Sequence, residues 1–578
     1  MKGNVFFKGL VLLCFSGTTT LVFSQQFTKI TSGPLVNTAG DSRSVNWIDV
    51  NNDGFLDCMI TNGPHAGQNN ALYINDGNGN FSAVLNDTIV KDGNPSDGAT
   101  WADTDNDGDV DCFVVNYYDF NNLYYTNNGD GTFTKIGVGS LVNDGGYSET
   151  ASWGDYDKDG LLDLYVANSS GNLRNFLYHN DGSNSFTKIN VGASVTNTHS
   201  SRSVNWTDID NDGDLDLFVT NEANENEDIY RNDGNGSFTL LTSGPLLNNA
   251  GMTMSGSWAD IDNDGDLDVF LANDQSPNAL FLNDGNFSFT KITGDTVVKG
   301  SAHSFSSAWS DIDNDGDLDL FVTNAFTGTV KRVNNLYLND GSGSFSRVSD
   351  APTNDSCWAY GCSFADYDND GFEDLAVATV RFAGIDPADL LYHNNGNSNH
   401  WFTLNLIGTI SNRSAIGTKV RVKAMINGNP VWQMREISAQ SSYCSQNDPR
   451  AHFGLGNASS IDSISVEWPS GLVQQFSGVI VDQFMTLVEG AVLSGLHEIA
   501  SPLEFLIFPN PAKDHLTISF KKFPQGLESV YEVIDTNGRI LKSGNVKDEI
   551  ALSGLQHGVY FLRLSSGNLM GVRKFVKE

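Results

Sequence analysis

The stretch that decides the fold is "SAWSDIDNDGDLDLFVTN", residues 307–324. A short strand ends in Trp309, then Asp311, Asp313, Asp315, Asp317 and Asp319 occupy every second position, and the run Leu320–Thr323 reads as a second strand. Seven such copies follow one another. Aligned on the loop glycine they fall at Gly54, Gly108, Gly160, Gly213, Gly265, Gly316 and Gly371, at spacings of 51 to 55 residues. A period of this length means a repeat architecture. Each copy holds a strand ending in an aromatic residue, the acidic loop, a second strand, a variable loop, a third strand such as "NLYLND", a Gly-rich turn and a final strand such as "FSRV". Four short strands in each of seven units, with no room for helices of ordinary length, predict an all-β chain built on a seven-bladed β-propeller. The seventh copy lacks its last strand, whereas "FTKITSGPLV" at 27–36 is a last strand with no blade before it. The expectation is that this orphan closes the ring, and that "WFTLNL" at 401–406 begins the next domain.

The acidic loop reads D-x-[DN]-x-D-G-x-x-D. Oxygen side chains stand at loop positions 1, 3, 5 and 9, glycine at 6 permits a sharp turn, and a backbone carbonyl is available at 7. That is the front half of an EF-hand-like calcium loop, but position 12 is Ile60, Val114, Val166, Val219, Leu271, Val322 or Val377 instead of Glu. The ninth-position Asp therefore closes the shell as the chain enters a strand. The expected ligands are Asp49, Asn51, Asp53 and Asp57 in the first copy, then Asp103, Asp105, Asp107 and Asp111, and Asp155, Asp157, Asp159 and Asp163. They continue with Asp208, Asp210, Asp212 and Asp216, and Asp260, Asp262, Asp264 and Asp268. Asp311, Asp313, Asp315 and Asp319, and Asp366, Asp368, Asp370 and Asp374, complete the set. A plain polar turn explains the Asn and Gly but not the spaced carboxylates, which repel one another without a cation. Zinc prefers His or Cys, which the loops lack, and magnesium keeps more water. The expected cofactor is calcium.

Composition sets the outer bounds. The chain has 578 residues, too many for one core, with 39% hydrophobic residues, 58 Gly and a net charge of −37. Residues 25–398 carry 15 Lys and Arg against 55 Asp and Glu, whereas 399–490 balance at six each. So acidic a domain repels phosphate, which argues against nucleic acid as a partner. At the N-terminus, Lys2 and Lys8 precede a short apolar run, and Val22-Phe23-Ser24 forms a cleavage site, so residues 1–24 read as a secretory signal peptide. No later segment is long and apolar enough to span a bilayer as a helix.

"DIDNDGDLDLFV" resembles the FG-GAP or VCBS repeat of integrin-type propellers, whose loops hold calcium at this spacing. "SAIGTKVRV" at 414–422, "SSYCSQNDPRAHFGLG" at 441–456 and "VEWPSG" at 466–471 resemble the ASPIC/UnbV domain that follows such propellers in cartilage acidic protein-like proteins, though Cys444 departs from the aliphatic residue more usual there. "FPNPAKDHLTISF" at 508–520, "VIDTNGRIL" at 533–541 and "LSGLQHGVYFLRL" at 552–564 resemble the type A C-terminal sorting domain of Bacteroidetes type IX secretion. The resemblance implies passage through the outer membrane by the type IX machinery and display on the surface or release. The expected domains are the propeller over 25–398, an ASPIC/UnbV-like β-domain over 399–490, a linker over 491–503 and the sorting domain over 504–578. Asn427-Gly428 and Asn537-Gly538 are hairpin signals within the two small β-domains.

Of five mature cysteines, Cys58 and Cys112 read as small buried hydrophobes, Cys357 and Cys362 are spaced for a local disulfide, and Cys444 is left over. Asp448, Arg450 and His452, with Arg435 and Glu436, form the best catalytic candidate, against the plainer reading of a paired Asp and Arg with a structural His. The favoured expectation is a secreted, surface-displayed binding or adhesion module for an extracellular glycan or protein. The alternative is a calcium-stabilised enzyme acting on polysaccharide. Strand reversals place the acidic loops and the "NDG" turns on one face. The variable loops at 116–122, 221–228, 324–335 and 379–389 fall on the other, with Tyr117, Tyr118, Phe326, Arg332, Arg381 and Phe382 as anchors.

Overall fold

The computed structural model describes residues 26–491 apart from 65, 235, 300–302 and 327, and residues 501–577 apart from 503–504, 521–528, 536–539, 547–548 and 567–568. The signal peptide, most of the linker and the Asn537-Gly538 turn lie outside the described residues.

Residues 27–394 form seven four-stranded antiparallel sheets, the blades. Six are continuous in sequence. In the seventh, Phe27–Lys29 pairs antiparallel with Leu390–Asn394, Phe27 opposite Asn394, so the first described strand closes the last blade as the sequence led us to expect. First strands adjoin in cyclic order, that of blade seven (Ala359–Ala365) packing beside that of blade one (Ser42–Ile48). Strand one is buried nearly throughout, and its aromatic end residue explains why: Trp47, Trp206 and Trp309 lie 5.8 to 6.0 Å from Phe81, Phe238 and Phe345 of the outermost strands. The connections between most blades are single helical turns, such as Thr88–Val90, whose Ile89 and Val90 are buried.

Strand one carries a register shift near its start in every blade. Side chains beside this irregularity converge on the ring axis. Arg43 reaches Asp97, Arg202 pairs with Glu149 at 2.5 Å, and the tilted rings of Phe305 and Tyr360 lie 4.3 Å apart.

The next domain packs a three-stranded sheet (Ala451–Gly456, His400–Ile407, Gln483–Val488) with a four-stranded one (Asn429–Glu436, Lys419–Ile426, Ile461–Glu467, Val473–Phe476). "WFTLNL" thus belongs to the second domain. The C-terminal region forms a five-stranded and a three-stranded sheet around Leu516, Val533, Ile550, Leu562 and Phe575, a core drawn from its own residues.

Candidate metal centres and the two faces of the ring

All seven acidic loops fold alike. In the sixth, the first-position Asp311 accepts the backbone N–H groups of Asp315 (3.0 Å) and Gly316 (2.8 Å), and Asp315 accepts that of Asp317 (3.1 Å). Asp319, at the foot of strand two, accepts from Ile312 (3.2 Å) and from Asn339 on strand three (2.9 Å). The fourth position is left-handed (Asn314, φ 56°) and so is Gly316 (φ 104°), where only glycine sits without strain. Across the loops the first-position Asp is buried except Asp49, and the ninth is always buried. The third is half-buried, and the fifth is exposed except at Asp315.

In several loops the structure brings three of the predicted residues together. Ligand atoms of Asp103, Asp105 and Asp107, of Asp155, Asp157 and Asp159, and of Asp208, Asp210 and Asp216 all lie within 4.8 Å of one another. Their electrostatics disfavour the ionised carboxylates unless a positive charge is near. Desolvation, reinforced by neighbouring carboxylates, pushes Asp216 and Asp268 up to about 8 and Asp57 and Asp111 up to about 7. One oxygen each of Asp157, Asp262, Asp313 and Asp368 is buried without a hydrogen bond. Crowded, all-oxygen loops with orphaned atoms suit a hard divalent ion.

Two rows of Asn wire the loops into a ring, and sequence reasoning took both for turn residues. The left-handed Asn at loop position 4 donates to the glycine carbonyl of the next loop: Asn106 to Gly160 (2.9 Å), Asn314 to Gly371 (2.9 Å) and, closing the circle, Asn369 to Gly54 (3.3 Å). Blade three has Lys158 there, paired instead with Asp214 at 2.6 Å. The Asn that ends strand three donates backwards, Asn75 to Tyr367 O (2.7 Å) and Asn232 to Tyr156 O (2.7 Å). The signal was its recurrence at the end of strand three in all seven copies.

The second domain sits on the loop face. Ser414 Oγ accepts from Asp103 N (2.8 Å), Lys419 pairs with Asp208 (2.7 Å), and Gly456 N donates to Asn314 O (2.7 Å). Its segment 439–448 enters the ring axis. Gln446 exchanges hydrogen bonds with both backbone groups of Trp101 (2.9 and 3.2 Å), and Tyr443 donates to Glu149 (2.5 Å). Gly361 of blade seven is what admits it, since a Cβ there would stand 2.2 Å from Ser445 Oγ.

The catalytic candidates are spent on this interface. Arg450 forks onto Asp448 and donates to Asn369 Oδ1 (2.8 Å) and Asp366 O (2.9 Å). His452 bridges Thr403 Oγ1 (3.0 Å) and Asn314 Oδ1 (2.7 Å), and desolvation, helped by Arg435 and Arg450, holds it down to about 3. These residues border a cavity of about 150 Å³ between the domains. The described cysteines are free and buried, so Cys357 and Cys362 form no disulfide.

The opposite face carries aromatics. Phe326 lies 5.1 Å from Phe305 and 4.9 Å from Trp358, and Trp358 lies 4.9 Å from Phe382, with Lys331 over the Phe382 ring at 5.4 Å. Tyr117 and Tyr118 pack separately with Tyr147. Arg381 is held by Asp386 at 2.5 Å, and Arg332 lies in a short strand pairing with Ser356–Cys357. Trp358 was not read as an anchor, because its place near two cysteines drew attention to a disulfide.

A ring of four-stranded blades with an acidic loop at each strand-one turn defines a class, the FG-GAP-like repeat proteins. Residues 49–377 match that family's model in six spans (49–114, 103–166, 155–219, 208–271, 260–322 and 323–377), and the chain belongs to this family. Residues 408–494 match ASPIC and UnbV, and 506–578 match the secretion system C-terminal sorting domain. That tail indicates type IX secretion to the cell surface or the extracellular space. No helix among the described residues is long and apolar enough to cross a membrane. Cartilage acidic protein 1 of Xenopus tropicalis is 27% identical over 267 residues, 45% of this chain and 40% of that protein. Its Mus musculus counterpart is 28% identical over 269 residues, 44% of this chain and 40% of that one. The chain thus matches well under half the length of these curated relatives. Among solved structures, an Agrocybe aegerita lectin described as recognising non-reducing terminal N-acetylglucosamine aligns with TM-score 0.41 and 16% identity, over 61% of this chain and 94% of that one.

Proposed function

We propose that this secreted propeller is a calcium-stabilised binding module that takes an extracellular glycan or protein on the face away from its acidic loops. Calcium suits the loops because carboxylates, a carbonyl and water are the ligands it takes, in a geometry loose enough for loops that differ in detail. In each loop the carboxylates at positions 1, 3, 5 and 9 would hold the ion, with Asn51 replacing one of them in the first blade. The observation that carries the binding reading is the aromatic row Phe326, Trp358 and Phe382 beside Lys331, on the face the second domain leaves open. Flat rings beside a cation are what sugar rings and protein side chains pack against. The engagement of Asp448, Arg450 and His452 in the interface favours the binding reading over the enzyme alternative.

The test is a glycan and extracellular-protein array probed in calcium with the mature chain and with a Phe326→Ala/Trp358→Ala/Phe382→Ala variant. A ligand bound by the first and lost at least tenfold by the second, with calcium-loaded melting retained, is the expected result. Binding that survives in the variant would place the recognition surface elsewhere.

A further inference from the structure

Two of the seven loops differ from the rest through a residue outside them. The position just before the strand-three Asn is Ile74, Thr126, Arg231, Leu282 or Leu338 in five blades, but His179 in blade three and His393 in blade seven. Both imidazoles turn into the acidic loop. His179 Nδ1 lies 3.1 Å from Asp163 Oδ1 and 3.6 Å from Asp157 Oδ2, and His393 Nδ1 lies 3.1 Å from Asp374 Oδ1 and 3.5 Å from Asp368 Oδ2. One nitrogen thus faces two carboxylates in each blade. The donor atoms of Asp157, Asp163 and His179, and those of Asp368, Asp370 and His393, lie within 4.8 Å of one another.

Two further observations bear on this arrangement. Asp157 Oδ1 and Asp368 Oδ1, beside the imidazoles, are buried and make no hydrogen bond, as are Asp262 Oδ1 and Asp313 Oδ1 in two blades without the imidazole, so donor capacity is left over in both His loops as it is in those. The blades of His179 and His393 also place a tyrosine at loop position 2, where the others have Val, Thr or Ile. Tyr156 meets the His179 ring at 6.2 Å and 64°, and Tyr367 meets His393 at 6.5 Å and 64°. Each tyrosine stacks in turn on a buried tryptophan, Trp206 or Trp47, at 6.0 and 5.9 Å. The imidazole is therefore braced in the same orientation twice. Separations of 3.1 to 3.6 Å between nitrogen and oxygen suit neighbouring ligands of one ion bound at roughly 2.0–2.4 Å. An imidazole adds little for calcium, which takes oxygen, and much for first-row transition ions, which take nitrogen.

We propose that the loops of blades three and seven are mixed nitrogen–oxygen centres that hold a divalent first-row transition metal, with His179 and His393 as the deciding ligands. The proposal rests on reading the loops as cation sites. At blade three the other ring nitrogen, Nε2, lies 3.9 Å from Asp181, beyond hydrogen-bond distance.

The test uses the full mature chain, stripped with chelator, reloaded with excess calcium plus cobalt(II), and desalted into metal-free buffer. Elemental analysis should find about two cobalt ions per chain, with the visible absorption of nitrogen-ligated cobalt. His179→Leu and His393→Leu should each lose one, and the double variant both, with calcium-loaded melting retained because Leu fills the same place in blades five and six. Cobalt retained equally by the double variant, or calcium alone retained by the unaltered chain, would overturn the proposal. Failure to retain either metal would overturn the cation reading of the loops as well, so the two failures are told apart.

Discussion

Glu227 and Asp389 stand where the other five blades carry Asn. Asn70, Asn122, Asn175, Asn278 and Asn334 each accept the backbone N–H at the end of strand two through their side-chain oxygen, and Asn70, Asn122 and Asn175 donate their amide to a Ser hydroxyl of the next blade. Glu227 and Asp389 accept the same N–H at 2.8 Å. Their second oxygen, however, meets a hydroxyl that already has an acceptor. Thr253 Oγ1 lies 2.6 Å from Glu227 and 2.9 Å from Asn273, and Ser42 Oγ lies 2.9 Å from Asp389 and 3.1 Å from Asn62. One hydroxyl hydrogen cannot serve both, so a proton on each carboxyl would complete the pairing. Burial agrees, pushing Glu227 up to about 8 and Asp389 up to about 7. These folded-state values lie above the unfolded ones, so the folded chain binds more protons. The stabilisation is full below about pH 4 and is lost as pH rises through about 7 to 8. Glu227→Gln and Asp389→Asn supply the donor permanently. In excess calcium the double variant's advantage over the parent should grow by several kcal/mol between pH 5 and pH 9. Denaturant titrations at the two pH values measure this, and an advantage equal at both would refute the protonated assignment.

At the scale of strands and loops, the repeat was legible because the physics of one blade is written seven times. Alternating Asp, a glycine at φ 104° and a Trp against an outer-strand Phe each have a local cause. What stayed illegible was what one blade does to the next. Asn232 reads as the start of an "NDG" turn, and it does accept Gly234 N at 3.0 Å, but its amide also spans to Tyr156 O and Leu215 O (2.7 and 3.1 Å). Partners 76 residues away have no signature in the turn itself. Likewise nothing in strand three marks His179 and His393, because the loops they face lie in a different part of the repeat. Asn232→Ala would strand two buried carbonyls, at a cost of about 1–3 kcal/mol each. Chemical denaturation in calcium should register a loss of about 3 kcal/mol, against about 0.5 kcal/mol or less for the exposed Ser237→Ala. A loss for Asn232→Ala as small as that of Ser237→Ala would return the residue to a mere turn former.

For the whole molecule, the charge division has a structural meaning. The propeller region holds 55 Asp and Glu against 15 Lys and Arg, and the charge-balanced second domain sets Arg413, Lys419, Arg435 and Arg450 against its loops. The axial segment 439–448 and contacts to loops of blades two, four, six and seven make ring and second domain one cooperative body, whereas the C-terminal region has a core of its own. Cation loss should therefore act on the two parts unequally. An ion bound at 100 times its dissociation constant stabilises its native host by about 2.7 kcal/mol, and several loops acting together exceed the whole stability of an ordinary domain. Calorimetry in calcium should give one transition for ring and second domain together and a separate one for the tail. Excess chelator should lower the first by about 10 °C or more and leave the second in place. Calcium should restore the first better than magnesium, since loops that offer so many protein oxygens leave magnesium little of the water it keeps. A ring transition indifferent to chelator, after elemental analysis confirms that metal is gone, would defeat the calcium reading. A second domain that melts apart from the ring in calcium would instead show that the axial segment plugs the channel without coupling the two.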